Sequence, residues 1–161
     1  MIANGDSLSQ PLPEPQGCTV ELVEKADQAL AEAYARLIPQ LNPAHCPPNL
    51  PELERILAGG ATELFLARAE PGGTILGVLA LVVFSTPTGT HAWIEDVVVD
   101  AAARGRGIGE ALSRAALARA AERGAGEVNL TSRPSRAAAN QLYQKIGFEL
   151  RQSNLYRYKL R

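Results

Sequence analysis

The stretch ARGRGIG, residues 103–109, combines the residue types that bind phosphate. Three glycines alternate with larger residues in it, and two arginines stand among them. Glycines let backbone N–H groups approach a ligand closely, and the unpaired N–H groups of a helix N-terminus attract anions. A helix is predicted over about 107–123, so the stretch indicates an anion site, and a tight turn with solvated arginines is the alternative. The candidate residues are Arg104, Gly105, Arg106, Gly107 and Gly109.

Neither of two familiar nucleotide motifs fits this stretch. The dinucleotide fingerprint G-x-G-x-x-G needs one more residue before its last glycine than this chain provides. The P-loop needs a Lys followed by Ser or Thr, and no such pair follows. A Rossmann or P-loop nucleotide site is therefore disfavoured, although a generic nucleotide binder stays as one hypothesis.

A second candidate for chemistry is the carboxylate pair Glu95 and Asp96. The pair lies inside HAWIEDVVV, residues 91–99, which predicts a strand, and acidic residues are disfavoured in strands. Successive side chains of a strand point to opposite faces, so at most one of the two is expected to face a substrate. An edge carboxylate paired with an arginine is the alternative interpretation.

The elements around these residues predict an α/β fold with a mixed sheet. The three strands before the glycine stretch can form an antiparallel meander, and the strand–helix–strand step from Val97 to Leu130 implies a parallel crossover. A bent strand or a terminal hairpin is predicted over 147–160. The other predicted strands are 18–24, 62–70, 74–84, 91–99 and 127–132, and the predicted helices are 26–41, 51–60, 107–123 and 135–146.

Bulk properties narrow the function classes. The 161 residues fit one domain, and a net charge of −1 argues against a general nucleic-acid binder. Cys18 and Cys46 have no CxxC spacing, so neither a metal site nor a disulfide framework is expected. No run approaches the roughly 20 apolar residues of a membrane span. Residues 1–17 are expected to form a mobile tail before a single domain at 18–161, in a cytoplasmic protein.

Two sequence blocks together resemble the GNAT acetyltransferase superfamily. The spacing Arg104-x-x-Gly107-x-Gly109 is similar to the R/Q-x-x-G-x-G/A pyrophosphate loop of that superfamily, and AAANQLYQKIGFEL, residues 137–150, matches its second block. The resemblance covers about residues 60–150. It implies the GNAT fold, which is a mixed, mostly antiparallel sheet with a central splayed parallel strand pair flanked by helices.

The resemblance also implies acetyl-CoA as a cosubstrate, bound between the strand that ends at Val99 and the strand 127–132. The backbone of the first strand would pair with the pantetheine amides, and the loop and helix start would donate N–H groups to the pyrophosphate. Independently of the resemblance, the charge of Arg133 and Arg136 and their place just past the second strand suggest contact with the 3′-phosphate or the adenine side, with solvated surface arginines as the alternative. The cofactor-binding residues that the resemblance implies are Val97, Val98, Val99, Arg104, Gly105, Arg106, Gly107, Ile108, Gly109, Glu110, Asn140 and Tyr143.

The catalytic roles implied by the resemblance concern three residues. Tyr143 matches the tyrosine that protonates the leaving CoA thiolate, and a phenol with an ordinary pKa of about 10 keeps its proton at neutral pH; a core aromatic is the alternative. A protonated amine needs a base, and Glu95 is favoured for that role. Asp96 is the second choice, because a β-bulge is common in this strand of the family.

The region that would bind the amine acceptor of the acetyl group is expected to involve the segment between the first two helices. Tyr34, His45 and Cys46 are candidates for it. His91 is expected at the surface. Tyr156 and Tyr158 are expected at the acceptor groove or at a dimer interface.

The leading hypothesis is an N-acetyltransferase in which a primary amine attacks acetyl-CoA directly in a ternary complex. A small amine or amino acid is favoured over a protein as acceptor. No metal, nucleic acid or membrane partner is expected, and a homodimer is possible. A non-catalytic acyl-CoA binding or sensor module is the alternative.

Overall fold

The computed structural model describes residues 17–160, so almost all of the predicted tail lies outside the described residues. The chain divides into two compact units, residues 1–131 and 132–161. The elements in chain order are β1 (Thr19–Leu22), α1 (Gln28–Leu41), α2 (Leu50–Ala58), β2 (Thr62–Arg68), β3 (Ile75–Thr86), β4 (Gly89–Val99), a 3₁₀ turn (Ala101–Ala103), α3 (Ile108–Glu122), β5 (Val128–Leu130) and α4 (Ala137–Lys145).

The first unit contains one mixed sheet with the strand order β1-β2-β3-β4-β5. Strands β1 to β4 pair antiparallel, and β5 pairs parallel to β4 after the α3 crossover. The predicted meander and the predicted crossover are both confirmed. The short connection between β3 and β4 suits an antiparallel pair, whereas a parallel pair needs a crossover as long as α3.

Helices α1 and α2 begin with side-chain caps that the sequence encodes. Asp27 accepts a hydrogen bond from the backbone N–H of Leu30 at 2.8 Å. Asn49 and Glu52 form a reciprocal capping box, in which each side chain accepts from the backbone N–H of the other residue. Both helices therefore start at fixed positions on either side of the proline-rich segment 42–49.

These two helices pack on one face of the sheet and form the main hydrophobic core. Leu30, Leu37 and Leu53 of the helices are buried against apolar side chains of the strands. The strand residues of this core are Leu64, Leu66, Ile75, Val78, Ala80 and Val98. The face of the sheet that carries α1 and α2 is thus fixed by Leu64 of β2 and by Val78 and Ala80 of β3.

Helix α3 contacts β2, β3 and β4. An added side-chain carbon at Gly77 of β3 would lie 3.1 Å from Leu112 and 3.2 Å from Ile108, so the start of α3 packs directly on that strand. Leu79 and Leu81 of β3 are fully buried and alternate with Val78 and Ala80, which places them on the α3 face. The sheet is therefore covered by helices on both faces.

The second unit contains α4 and the segment that follows it. Helix α4 ends in a Schellman motif, because Phe148 N–H donates to Tyr143 C=O at 2.9 Å and Gly147 N–H donates to Gln144 C=O at 3.1 Å. Gly147 has φ +102°, a conformation that glycine adopts without a steric penalty. The Gly-Phe pair of the sequence therefore ends the helix and brings Phe148 back onto Tyr143.

The predicted strand or hairpin over 147–160 is wrong for the described residues, since residues 149–160 contain no regular element. Tyr156, Tyr158 and Leu160 alternate as strand residues do, but each is more than 80% exposed. Alternation alone does not make a strand, because a strand requires a partner whose position depends on distant parts of the chain. Within residues 17–160, none of the helices is both long and apolar enough to span a membrane.

Candidate active site

A β-bulge interrupts β4 at the carboxylate pair. Val78 of β3 pairs with Val98, and Ala80 pairs with Glu95, so two residues of β4 stand opposite Leu79 alone. The two residues opposite Leu79 are Asp96 and Val97, and Asp96 has φ +51°. Aspartate tolerates this left-handed conformation better than most side chains do. The bulge expected from the family resemblance is therefore present.

The bulge changes which face of the sheet the acidic side chains occupy. Directly paired residues of neighbouring strands point to the same face, so Glu95 shares the face of Ala80, and Val98 shares the face of Val78. Both partners face α1 and α2. The regular alternation that would put Glu95 and Asp96 on opposite faces does not hold, because both residues line the same cleft on this side.

The cleft lies wholly in the first unit and has a volume of about 530 Å³. Its floor is formed by β2, β3 and β4, and its walls are formed by α1, α2 and the proline-rich segment between them. Three residues proposed for the acceptor region from the sequence, Tyr34, His45 and Cys46, all line it. The remaining lining residues are Ile38, Ala44, Pro48, Leu53, Ile56, Thr62, Leu64, Ala80, Val82, Glu95 and Asp96.

The polar end of the cleft holds three ionisable groups close together. Burial raises the pKa of Glu95 above its ordinary value, and the negative charge of Asp96 raises it further, while a hydrogen bond with Trp93 lowers it. Burial also raises the pKa of Tyr34 strongly, with a smaller contribution from Asp96. Glu95 is therefore a better proton acceptor than an exposed glutamate, and Tyr34 keeps its proton at neutral pH.

Beyond the bulge, one backbone edge of β4 has no strand beside it. The parallel pairing with β5 covers Ala92, Trp93 and Ile94 only and stops at Leu130. In the part of the chain that the structure describes, the edge from Glu95 to Val99 on the β5 side therefore lacks a strand partner. Its outward N–H and C=O groups can pair with an extended ligand, as an added strand would. Val97, Val98 and Val99, proposed for cofactor binding, lie along this stretch.

The glycine stretch forms an open loop that leads into α3. Gly105 and Gly107 both have φ +77°, and an added side-chain carbon at either position would meet nothing within 4 Å among the described residues. Gly107 is the residue that precedes Ile108 at the helix start, and no side chain caps this end within residues 17–160. The start of α3 thus adjoins the open space beside Gly107 and carries the positive end of the helix dipole. This arrangement fits a phosphate group.

The sequence model of the Acetyltransferase (GNAT) family matches residues 27–148 of this chain. The chain belongs to the GNAT acetyltransferase family. Glucosamine 6-phosphate N-acetyltransferase 1 from Oryza sativa subsp. japonica is 34% identical to it in an alignment of 135 residues that covers 78% of this chain and 78% of the relative. The family resemblance, the assignment as an acetyltransferase and the mixed α/β fold class are confirmed.

Solved structures of GNAT proteins share the fold at lower sequence identity. An aminoglycoside acetyltransferase from an uncultured soil metagenomic sample, in complex with trehalose, has a TM-score of 0.79 at 22% identity over 90% of this chain and 97% of its own. The enzyme AAC(6')-Iy, in complex with a CoA bisubstrate analogue, has a TM-score of 0.70 at 21% identity over 89% and 98% of the two chains. GNAT acetyltransferases use acetyl-CoA, and the open loop and the unpaired edge of β4 fit such a molecule.

Side chains of α1 hold residues 100 and 101 in this GNAT chain, just before the glycine stretch. Arg36 forms an ion pair with Asp100 and also donates to Ile75 C=O at 2.6 Å. Gln40 accepts from the backbone N–H of Ala101 at 2.8 Å. These contacts join residues 39 to 64 positions apart, and no local pattern in the sequence indicates them. Arg104 lies at the other end of the 3₁₀ turn, and its Nε donates to Val99 C=O at 3.4 Å.

The other loop residues proposed from the sequence divide into exposed and buried groups. Arg104 and Arg106 are exposed, as a contact with a phosphate requires. The side chain of Ile108 is buried, and that of Glu110 binds Arg114 at 2.9 Å, so only their backbone N–H groups are suited to a ligand.

The second unit holds the residues of the second GNAT block. Tyr143 is buried, and its ring packs edge-to-face on Phe148 with 5.8 Å between the centroids. Burial raises the pKa of Tyr143, and the nearby Arg136 partly offsets this. The Asn140 amide donates to Arg133 C=O at 3.0 Å and so holds the turn before α4. The phenol of Tyr143 therefore stays protonated at neutral pH.

Three remaining candidates are not among the residues that line the cleft. The His91 ring stacks on Phe84 and hydrogen-bonds to Thr86 at the β3–β4 turn, which agrees with the surface position expected for it. Tyr156 and Tyr158 are exposed. Among the described residues, no group of three or more His, Cys, Asp and Glu side chains is arranged to hold a metal ion.

Proposed function

We propose that this acetyltransferase moves the acetyl group of acetyl-CoA to the primary amine of a small molecule by direct attack in a ternary complex. The observation that carries the proposal is the bulge at Asp96. It brings both Glu95 and Asp96 to one cleft and lies where β4 loses its β5 partner. An amine in that cleft would meet an acyl group carried along the free strand edge.

Glu95 is the base of the proposed reaction. An alkylamine is mostly protonated at neutral pH, since its pKa is near 10.4, and only the neutral amine attacks a thioester. The raised pKa of Glu95 makes its carboxylate a stronger proton acceptor, either directly or through one water. Asp96 lies beside it and attracts the ammonium form of the substrate into the cleft.

The bond changes follow from this arrangement. The neutral amine nitrogen forms a bond with the carbonyl carbon, and the carbon–sulfur bond breaks. The nitrogen releases one proton to solvent as the amide forms, and the released thiolate takes up one proton. We assign that proton to Tyr143, because it matches the family position and its raised pKa keeps the phenol protonated. The backbone N–H groups at Val97–Val99 polarise the carbonyl oxygen, which is an oxyanion-hole effect.

Cosubstrate binding is assigned to the free backbone edge and to the glycine loop. Val97 to Val99 pair with the pantetheine amides, and the N–H groups from Arg104 to Glu110 hold the pyrophosphate. Arg133 and Arg136 are assigned to the 3′-phosphate, and Asn140 to the cofactor arm. The open space over Gly105 and Gly107 supports the pyrophosphate part of this proposal.

The test is thiol release from acetyl-CoA in the presence of a panel of primary amines. Glu95→Gln and Tyr143→Phe are each expected to lower kcat by about 10²-fold or more, the usual contribution of a positioned acid or base. Their matched controls are Glu70→Gln and Tyr158→Phe, both at exposed positions, and these are expected to keep the parent kcat.

The kinetic order separates direct transfer from a covalent route. Initial-rate patterns of a ternary complex are expected, and mass spectrometry of the enzyme with acetyl-CoA alone is expected to find no acetylated protein. Cys46 is an exposed thiol in the cleft, so it is the residue to inspect. Ping-pong kinetics with an acetyl group on Cys46 would overturn the direct mechanism.

A further inference from the structure

We infer that the cleft selects a primary amine with an apolar body and rejects amines that carry a phosphate. This inference rests on the proposed function and names the substrate class of the same site. Two features carry it: the sign of the charges that line the cleft, and the direction in which its apolar floor extends from Glu95.

The charged side chains of the cleft are acidic. Glu95 and Asp96 both line it, whereas the described lining residues include no Lys and no Arg. His45 is the one lining residue that can carry a positive charge. Proteins hold phosphate with Arg, Lys or clustered backbone N–H groups, and two carboxylates in a partly enclosed cleft repel it. An ammonium group is attracted by the same carboxylates.

The charges of the cleft do not suit the substrate for which the rice relative is named. That protein is named for glucosamine 6-phosphate, whose phosphate needs a cationic partner. The arginines of the glycine loop are assigned to the pyrophosphate of acetyl-CoA and do not line the cleft. The chain therefore shares the fold and the acetyl donor with this relative, and its acceptor belongs to another class.

The strand register gives the direction in which the acceptor lies. Leu64, Ala80 and Glu95 pair in one row across β2, β3 and β4. The next row on this face contains Thr62 and Val82, two residues further along and therefore about 7 Å away. Thr62 and Val82 line the cleft and are partly exposed, whereas Leu64 and Ala80 are buried. An amine held at Glu95 therefore places the rest of its molecule over Val82 and Thr62.

The walls over this floor are also apolar. Ile56 of α2 and Pro48 of the connecting segment line the cleft and are partly exposed, and the buried side chains of Leu53 and Ile38 lie behind them. A volume of about 530 Å³ lies within the range of small-molecule sites, roughly 300–1,000 Å³, which exceeds what a two-carbon amine fills. Each additional buried methylene group is expected to raise kcat/KM by about fourfold.

Two matched pairs of amines test the inference in the thiol-release assay. The first pair, phenethylamine and ethylamine, differs in the apolar body. Phenethylamine is expected to react with a kcat/KM at least tenfold higher than ethylamine. The second pair, glucosamine and glucosamine 6-phosphate, differs in the phosphate alone. The phosphorylated sugar is expected to react with a kcat/KM at least tenfold lower than glucosamine.

A matched pair of variants tests whether the cleft charge causes the selection. Ala44 is exposed and lines the cleft, whereas Ala58 is exposed at the end of α2 and does not. Ala44→Lys is expected to reduce the discrimination against glucosamine 6-phosphate by about tenfold. Ala58→Lys adds the same charge outside the cleft and is expected to leave the discrimination unchanged. Both positions are exposed, so neither variant places a lysine in the core.

The outcomes distinguish this inference from the proposed function. Release with glucosamine 6-phosphate at a rate equal to or above that with glucosamine would overturn the selectivity and leave the acetyltransferase proposal intact. Equal rates with ethylamine and phenethylamine would overturn the apolar part. Failure of every amine in the panel to release thiol would overturn the proposed function, and the inference with it.

Discussion

Arg36 of α1 forms an ion pair with Asp100, the residue that directly follows β4. A second donor of the same guanidinium reaches Ile75 C=O at 2.6 Å, and the other carboxylate oxygen of Asp100 accepts from Ala102 N–H at 3.0 Å. Helix α1, which forms a wall of the acceptor cleft, therefore also holds the residue that leads from β4 towards the glycine stretch. This contact and that of Gln40 with Ala101 join the ends of the proposed acceptor and donor sites.

Arg36→Ala is expected to weaken acetyl-CoA binding by about three- to tenfold, because the loop at Asp100 loses its partner on α1. Arg36 is not among the residues that line the cleft, and its side-chain hydrogen bonds go to Asp100 and Ile75, so the expected effect is one of positioning. Isothermal titration with CoA measures the Kd. Arg55→Ala, at an exposed position on α2, is the matched control and is expected to leave the Kd unchanged. Equal Kd values for both variants and the parent would contradict the assigned role.

Gly107→Ala is expected to raise the Kd for acetyl-CoA by at least tenfold, because the added methyl group would occupy the open space assigned to the pyrophosphate. It also forces alanine into a left-handed conformation, at a cost of about 1–2 kcal/mol in the free energy of unfolding. Urea unfolding measures that cost, and titration with CoA measures the Kd.

Gly124→Ala separates the two effects, since Gly124 has φ +78° and also has nothing within 4 Å of an added side-chain carbon. It follows α3 at the opposite end from the glycine loop. The same loss of stability is expected, with the Kd for CoA unchanged. Equal weakening of CoA binding in both variants would show that strain alone causes it.

The sequence predicts the helices and paired strands well because their signals are local. Asp27, Asn49 and Glu52 cap helices where the pattern places helix starts, and the Gly147-Phe148 pair ends α4 as its Schellman motif requires. The second-unit motif is recognisable for the same reason, since the positions of Asn140 and Tyr143 follow from a single helix.

The faces of Glu95 and Asp96 could not be predicted by alternation. One extra residue in β4 reverses every side chain beyond it, and the bulge is visible only in the pairing with β3. The contact of Arg36 with Asp100 spans 64 positions and also has no local signal. The prediction for the terminal segment is wrong for a different reason. Tyr156 and Tyr158 alternate as strand residues do, but they form no strand in the described chain.

Asp96→Asn is expected to lower the pKa of Glu95. The negative charge of Asp96 contributes to the raised pKa of Glu95, so its removal makes the carboxylate easier to ionise. Burial is the larger cause and remains, so the pKa should stay above the ordinary value of a glutamate. Asparagine also tolerates the positive φ of this position, which keeps the bulge. The carboxyl carbon-13 shift of Glu95, followed by NMR as pH changes, measures the midpoint.

The expected movement of that midpoint has a definite sign. Acetyl transfer that depends on ionised Glu95 is present above its pKa and is lost as the pH falls through it, so the acidic limb of activity should move to lower pH in Asp96→Asn. Glu70→Gln removes a negative charge from the exposed β2–β3 turn and is expected to leave the midpoint in place. A midpoint that rises in Asp96→Asn is incompatible with the assigned interaction.

Glu63→Gln is expected to lower the free energy of unfolding by about 1–3 kcal/mol, between the values for exposed and fully buried ion pairs. Glu63 of β2 is 12% exposed and binds Arg119 at 2.6 Å, and it also binds Arg123. Its loss therefore removes two ion pairs that tie α3 to the sheet.

Glu122→Gln is the control. Glu122 pairs with Arg119 at 3.0 Å but is 65% exposed, and a loss of about 0.5 kcal/mol or less in the free energy of unfolding is expected. Urea unfolding at low and high salt measures both. The difference should persist at high salt, because the nearly buried carboxylate is less screened than an exposed one, and equal losses in the two variants would rule out a structural role for the Glu63 cluster.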